Sequence, residues 1–253
     1  MIQQSPCLVL DHVSRAFGGL TAVDDVSLTL RAGERRAVIG PNGAGKTTLF
    51  NIISGELAAT NGAVRFFDED VTRLPAHRRA ARGIARTFQI TRLFPNLTVA
   101  ENVLLACEAL DRRKFVVHRP IASYRDLTGR AAAIGAEFDL QRQRGELARN
   151  LPYGDQRKLE VALSMAGRPR LLLLDEPMAG LSPAERTSMQ ALLQRLDPAI
   201  AVLLIEHDMD IAFGFAQRVT VMSQGRVLME GDNDEVRASR EVQEIYLGTR
   251  ERR

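Results

Sequence analysis

Gly40, Gly43 and Gly45 lead into Lys46 and Thr47 within the run Ala37-Val38-Ile39-Gly40-Pro41-Asn42-Gly43-Ala44-Gly45-Lys46-Thr47-Thr48. The pattern G-x-x-x-x-G-K-[ST] is that of a phosphate-binding loop. Glycines let backbone N–H groups close around an anion without Cβ obstruction. A helix beginning near Gly45 would aim its positive end at the same phosphates. Lys46 supplies a point charge for β- and γ-phosphates, and the Thr47 hydroxyl a ligand for magnesium. Far downstream, four leucines run into Asp175-Glu176. Acids at the C-terminal tip of a buried strand stand where doubly wound sheets bind ligands. Asp175 is placed to hold the magnesium shell opposite Thr47, and Glu176 to polarise a water for attack on the γ-phosphate. The plainer reading is a strand end capped by solvated acids; the phosphate loop upstream favours the first. Gln89 and His207 also end predicted strands. Gln89 can ligate magnesium or orient water, and His207 can hydrogen-bond a γ-phosphate. Taken singly, either residue is more often structural.

The elements that must position these groups follow from apolar pattern. Ala37–Ile39 reads as a buried strand feeding the loop, and Thr48–Ser54 as the helix beyond it. Leu8–Leu10, Val26–Leu30, Gly62–Phe67 and Ile84–Gln89 read as strands, with Phe17-Gly18-Gly19 as a turn carrying an aromatic. Leu171–Glu176 and Ala201–His207 are uniform enough for strands buried on both faces. With a helix over Pro183–Leu196 between them they form a βαβ unit and hence a parallel sheet. Residues 218–223 and 226–230 flank Gln224-Gly225 as a hairpin, and short helices near 234–238 and 241–246 follow. Between these β-rich parts, residues 89–160 read as a helical insertion: helices over 101–110, 121–140 and 154–166, with a mixed loop at 112–129. Thr98 and Glu101 fit a capping box. The basic stretch Arg73, His77, Arg78, Arg79, Arg82 and Arg86 reads as a solvated helix face. No aromatic residues interleave it as a nucleic-acid surface would require.

At 253 residues the chain is one large domain or a domain with a subdomain. A net charge of +3, from 34 Lys+Arg against 31 Asp+Glu, is too weak to argue for nucleic acid or an anionic membrane. Cys7 and Cys107 have no metal-ligand spacing and suit a reducing compartment. Residues 1–6 lack the basic-then-apolar pattern of a signal peptide, and none is expected. No window approaches about 18 uninterrupted apolar residues, so the chain is not expected to span a membrane, although it can dock on one.

Taken in order, these motifs resemble the ATP-binding subunit of an ABC transporter over essentially the whole chain. Gly40–Thr48 is similar to that family's Walker A, Leu171–Glu176 to its Walker B, Gln89 to its Q-loop, and His207 to its switch histidine. Ala179-Gly180-Leu181-Ser182-Pro183 falls where its D-loop lies. Phe17 matches the position on which the family stacks adenine. Leu151-Pro152-Tyr153-Gly154-Asp155-Gln156 falls where the L-S-G-G-Q signature lies. The resemblance implies a P-loop NTPase (RecA-like) α/β core with an N-terminal antiparallel β subdomain and an inserted helical subdomain. It implies a single domain over 1–253, with core parts 1–88 and 161–253 around the insertion 89–160. The ligands implied are ATP, bound by Phe17, Gly40, Pro41, Asn42, Gly43, Ala44, Gly45, Lys46, Thr47 and Thr48, and Mg2+, held by Thr47, Gln89 and Asp175. The catalytic set is Glu176, His207 and Gln89. Tyr153, Gly154, Asp155 and Gln156 would face a second nucleotide.

The signature departs from the family pattern. Pro152 stands where a serine usually donates to a γ-phosphate, and Tyr153 replaces a glycine. Proline has no side-chain donor, so that contact is lost. The Tyr-Gly-Asp-Gln-Arg run, Glu-His-Asp-Met at the switch and Tyr246-Leu247-Gly248 near the end resemble one of the two ATPases of branched-chain amino-acid importers. That implies pairing with a paralogous ATPase, or with itself, beneath two transmembrane permease subunits on the cytoplasmic face of the inner membrane. A substrate-binding protein outside the membrane would act indirectly, and nucleic acid would not be a partner. The cargo implied is branched-chain or other hydrophobic amino acids, or related small acids and amides. The alternatives are an ABC-type ATPase acting on nucleic acid or ribosomes, whose tandem cassettes or coiled-coil insertions are missing here, and a homodimeric lipopolysaccharide-export ATPase, whose signature would keep the serine.

Overall fold

The computed structural model describes residues 6–87, 93–109, 111 and 124–247. The chain divides into two compact units. The first comprises 1–84, 170–176 and 197–253, and the second 85–169 and 177–196. Residues 161–169 and 177–196 group with the helical residues of the second unit.

The first unit holds two sheets. In the antiparallel sheet, β1 (Pro6–Phe17) lies between β2 (Leu20–Arg31) and β4 (Asn61–Phe66), with the short β5 (Glu69–Asp70) beyond β4. β1 and β2 run well past the expected Leu8–Leu10 and Val26–Leu30. Their outer ends mix exposed residues with the buried Val13 and Val23, and the pairing is interrupted by irregularities around Val13 and Arg15. The strict alternation that marks a strand is broken there. The other sheet has the order β10-β9-β3-β8-β7-β6, with β3 (Arg35–Ile39) parallel to β8 (Ala201–Ile205) and β9 (Arg218–Ser223). β7 (Leu171–Asp175) is parallel to β8, while β10 (Arg226–Gly231) closes one edge as a hairpin on β9. β6 (Ile84–Arg86) closes the other. β7 and β8 are buried throughout, as the uniform leucine and valine runs require of strands covered on both faces.

Helix α1 (Lys46–Ser54) buries Leu49, Phe50, Ile52 and Ile53 in the core that also holds Leu8, Val38, Leu173 and Ile205. Helix α2 (Ala76–Ala80) keeps His77 and Arg78 exposed, as a solvated basic face requires, but Arg79 departs from that expectation. Arg79 is only 1% exposed, and its guanidinium donates to the carbonyls of Ile52, Ile53, Leu74 and Thr72. Ile52 and Ile53 are in the last turn of α1, where carbonyls run short of helical donors; that of Ile52 also accepts from the Gly55 N–H at 3.2 Å. A cation there also complements the helix dipole. Burial pulls the Arg79 pKa down to about 10. Arg82, by contrast, pairs with Glu69 at the surface. Cys7 is fully buried, and burial pushes its thiol up to about 12.

Helix α7 (Met209–Phe215) was not expected: seven residues containing Gly214 carry little periodicity, and the informative signal is Asp208, which accepts from the N–H groups of Asp210 and Ile211 as an N-cap. Helices α8 (Asn233–Ala238) and α9 (Arg240–Leu247) end the described chain.

The second unit packs α3 (Val99–Ala109), α4 (Arg125–Glu137) and α5 (Tyr153–Met165) against one another, with α6 (Pro183–Gln194) also assigned to it. The Thr98–Glu101 box forms: Thr98 N–H donates to Glu101 at 2.7 Å, and Glu101 N–H to the Thr98 hydroxyl at 3.2 Å. The helix expected over 121–140 is α4, and residues 125–129, which the expected loop at 112–129 also covered, are its first turns. Cys107 is buried in this unit.

Candidate ATP site

The strand–loop–helix order places the phosphate loop between β3 and α1. Gly40 and Gly45 are there because a side chain would not fit. A Cβ on Gly40 would come within 2.1 Å of the Met222 carbonyl oxygen, and one on Gly45 within 2.4 Å of that of Ala22. Both also hold positive φ, 149° and 96°. The turn Gln224-Gly225 buttresses the loop from the side: Gly225 N–H donates to the Ala44 carbonyl, and Asp24 N–H to the Gly225 carbonyl. In the sequence that turn reads only as a hairpin.

Gly45 is the N-cap of α1 and has no side-chain cap. The first N–H groups of α1 are thus directed into the loop, as an anion site requires. Lys46 is 7% exposed and donates its ammonium to the carbonyls of Gly40, at 2.7 Å, and Pro41, at 3.0 Å. Burial lowers its pKa, and the carboxylates of Glu176 and Asp175 pull it back up. Lysine and both acids are therefore electrostatic neighbours, although more than a hundred residues apart in sequence.

Asp175 ends β7 and is 2% exposed. Glu176 keeps the sheet ladder through its N–H to the Ile205 carbonyl, at 3.0 Å, yet adopts a left-handed φ of 48°. Such a conformation is costly for a side chain with a Cβ and concentrates at functional sites. His207 follows β8, and its Nδ1 lies 3.8 Å from Glu176 Oε2 and 3.9 Å from Glu206 Oε2. Glu206 is fully buried and was overlooked; its signal was an acid closing an otherwise apolar strand. The first unit thus brings together the loop 40–48, Asp175, Glu176 and His207. Phe17 is in the same unit, at the end of β1, with its ring 46% exposed and the Arg15 guanidinium 4.7 Å from the centroid.

Gln89 lies outside the described residues. Tyr153, Gly154, Asp155 and Gln156 form the first turn of α5 in the second unit, with Pro152 as N-cap. Asp155 pairs with Lys158 at 3.1 Å, and the Gln156 amide donates to the Leu151 carbonyl at 2.9 Å. The side chains of both are engaged within their own unit.

The residues fit a nucleoside triphosphate: a glycine cradle that a Cβ would fill, an uncapped helix start and a buried ammonium. Magnesium fits as a companion of that ligand. Among the described residues no group of three or more His, Cys, Asp or Glu could hold a metal. Thr47 and Asp175 offer oxygen ligands, and magnesium bound beside phosphates typically takes only one or two carboxylates from the protein.

Residues 23–179 match the family described as ABC transporter. The high-affinity branched-chain amino acid transport ATP-binding protein BraF of Pseudomonas aeruginosa is 38% identical over 250 residues, covering 96% of this chain and 98% of that protein. LivG of Escherichia coli (strain K12), described in the same words, is 39% identical with the same coverage. The lipopolysaccharide export system ATP-binding protein LptB of Escherichia coli (strain K12) is 31% identical, covering 95% of this chain and 97% of that protein. A solved ATP-binding cassette of an ABC transporter, in its ADP conformation, shares 29% identity at a TM-score of 0.86, covering 97% of this chain and all of that one.

Proposed function

The chain belongs to the ABC transporter family as an ATPase subunit coupling ATP hydrolysis to transport, and from that premise we propose that it drives import of branched-chain or related hydrophobic amino acids. Identity of 38–39% over nearly full length to proteins named for that transport carries the cargo reading, against 31% for the lipopolysaccharide-export relative. No helix among the described residues is long and apolar enough to cross a membrane. In the proposed reading the chain works beneath two permease subunits at the cytoplasmic face of the membrane, beside a paralogous ATPase. A substrate-binding protein on the other side delivers the cargo.

In this reading the loop amides and Lys46 bind the β- and γ-phosphates, and the exposed face of Phe17 stacks on adenine. Thr47 and Asp175, with Gln89, hold magnesium, which when bound neutralises charge on the phosphates. Glu176 accepts a proton from the attacking water, and His207 hydrogen-bonds the γ-phosphate. Segment 153–156 faces the nucleotide on the paralogue's phosphate loop. The core at 1–88 and 161–253 and the helical insertion at 89–160 form one ATP-binding domain, whose closure and reopening the Q-loop region passes to the permeases. Pro152 makes the two sites unequal, the better being the one on this chain's Walker A, provided that the paralogue's signature keeps its serine. The decisive experiment is ATP-dependent uptake of labelled leucine, isoleucine and valine by vesicles containing the co-purified complex. Uptake of all three is expected; ATPase activity with no uptake of any would overturn the cargo assignment.

A further inference from the structure

The replacement of a signature glycine by Tyr153 has a counterpart inside the second unit. The Tyr153 hydroxyl donates to the Ala179 carbonyl at 3.3 Å and accepts from Arg157 Nε at 2.9 Å. Arg157 is fixed in turn by Glu160 at 2.8 Å, both side chains 8% exposed. Gly180, at φ 76°, is the seat for the ring: a Cβ there would lie 3.1 Å from Tyr153 Cε1. A second tie sits one residue on. Gly154 N–H hydrogen-bonds the Glu185 carboxylate, and a Cβ on Gly154 would be 2.5 Å from Glu185 Oε1. Glu185 also closes the capping box of α6, accepting from the Ser182 N–H at 2.8 Å and the Ser182 hydroxyl at 2.6 Å. Hydrogen bonds from Ser182 above all, with that from Gly154, hold its carboxyl below the usual range. The turn 179–185 is thus fastened at both ends to the first turn of α5.

That turn is also covalently close to the chemistry. Ala179 is the third residue after Glu176. We propose that Tyr153 and Glu185 are positioning residues that transmit the engagement of α5 with a phosphate to the segment leading out of Glu176, so that ATP on the paralogue sets the base in this chain's own site. The inference rests on the proposed pairing, in which the start of α5 meets the paralogue's nucleotide. Gly154 N–H has two claimants, the Glu185 carboxylate and an arriving phosphate. A phosphate that takes this donor releases one end of the tie, while Tyr153 keeps the other.

The test is the ATPase rate of the assembled complex against ATP concentration, with this chain native, Tyr153→Phe, Glu185→Gln, or both. Each single variant is expected to lower kcat about two- to tenfold and move the Hill coefficient toward one, with KM within about twofold. The double variant should be no slower than the worse single one, because the ties act as a unit. Losses that multiply, or a native kcat and Hill coefficient in both single variants, would overturn the proposal. A purely structural role would lower the amount of active complex and leave the Hill coefficient alone. Should Tyr153→Phe fail to fold, Glu185→Gln carries the same comparison. Lys46→Ala separates the failures: full ATPase activity in that complex would sink the nucleotide reading itself.

Discussion

Two helices in this molecule begin on a glycine-containing turn whose first backbone N–H groups have no partner within the helix, yet their first turns are furnished oppositely. At α1, Gly45 caps without a side chain, a buried ammonium stands beside the turn, and the neighbouring carboxylates Asp175 and Glu176 stand together at the end of β7. At α5, Pro152 is the cap, and the Glu185 carboxylate already accepts from Gly154. Both satisfy the general rule that helix N-termini attract anions. One is arranged to take its anion from solution, the other holds one of its own until a stronger arrives. The lesson is that a helix start becomes a binding site through what its neighbours leave undone.

The sharpest way to break the contrast is to remove the groups that make the α1 side chemical. Glu176→Gln should retain ATP binding while hydrolysis falls by about two to four orders of magnitude, the range of general-base contributions; near-native turnover would remove Glu176 from that role. Replacing the equivalent acid of the paralogue should cost less, and equal losses would end the claim that the sites differ. Lys46→Ala should weaken ATP binding about tenfold to a hundredfold, the range of a charge-assisted hydrogen bond, as read by titration with a fluorescent nucleotide. Arg79→Met strands carbonyls at the far end of α1 and should cost about 2–4 kcal/mol of stability. A calorimetric melt unchanged from native would mean that those carbonyls find water instead. The smallest effect is expected on the α5 side: Pro152→Ser restores a donor and should raise the kcat of the complex about two- to fivefold. No gain there would show that Pro152 is not what limits that site.

The same contrast explains what could be read beforehand. The phosphate loop is legible because its parts are contiguous: Gly40, Gly45, Lys46 and Thr47 fall on one loop, and the strand before it needs only an apolar run. Asp175 and Glu176 were legible for a like reason, standing at the tip of four leucines. Arg79 was not, since its burial depends on the end of a helix more than twenty residues upstream, and the local pattern is that of any exposed basic turn. The outer halves of β1 and β2 are not legible because polar and apolar residues follow no strict alternation there and the pairing is irregular. The ties from Tyr153 to Ala179 and from Gly154 to Glu185 join residues with no sequence pattern in common. Only folding makes them neighbours.

The two buried thiols have a practical consequence. The sequence contains no cysteine besides Cys7 and Cys107. Both are enclosed, and burial raises both, Cys7 to about 12. Since the thiolate is the reacting species, fewer than about one Cys7 in ten thousand is competent near neutral pH. Native chain is thus chemically silent toward alkylating and disulfide-exchanging probes, and becomes visible only as each unit opens. One thiol reports on each: Cys7 on the sheet-bearing unit, Cys107 on the helical one. Pulsed labelling would time their openings separately, and a cysteine introduced at an exposed site could carry a spectroscopic tag without removal of the native pair.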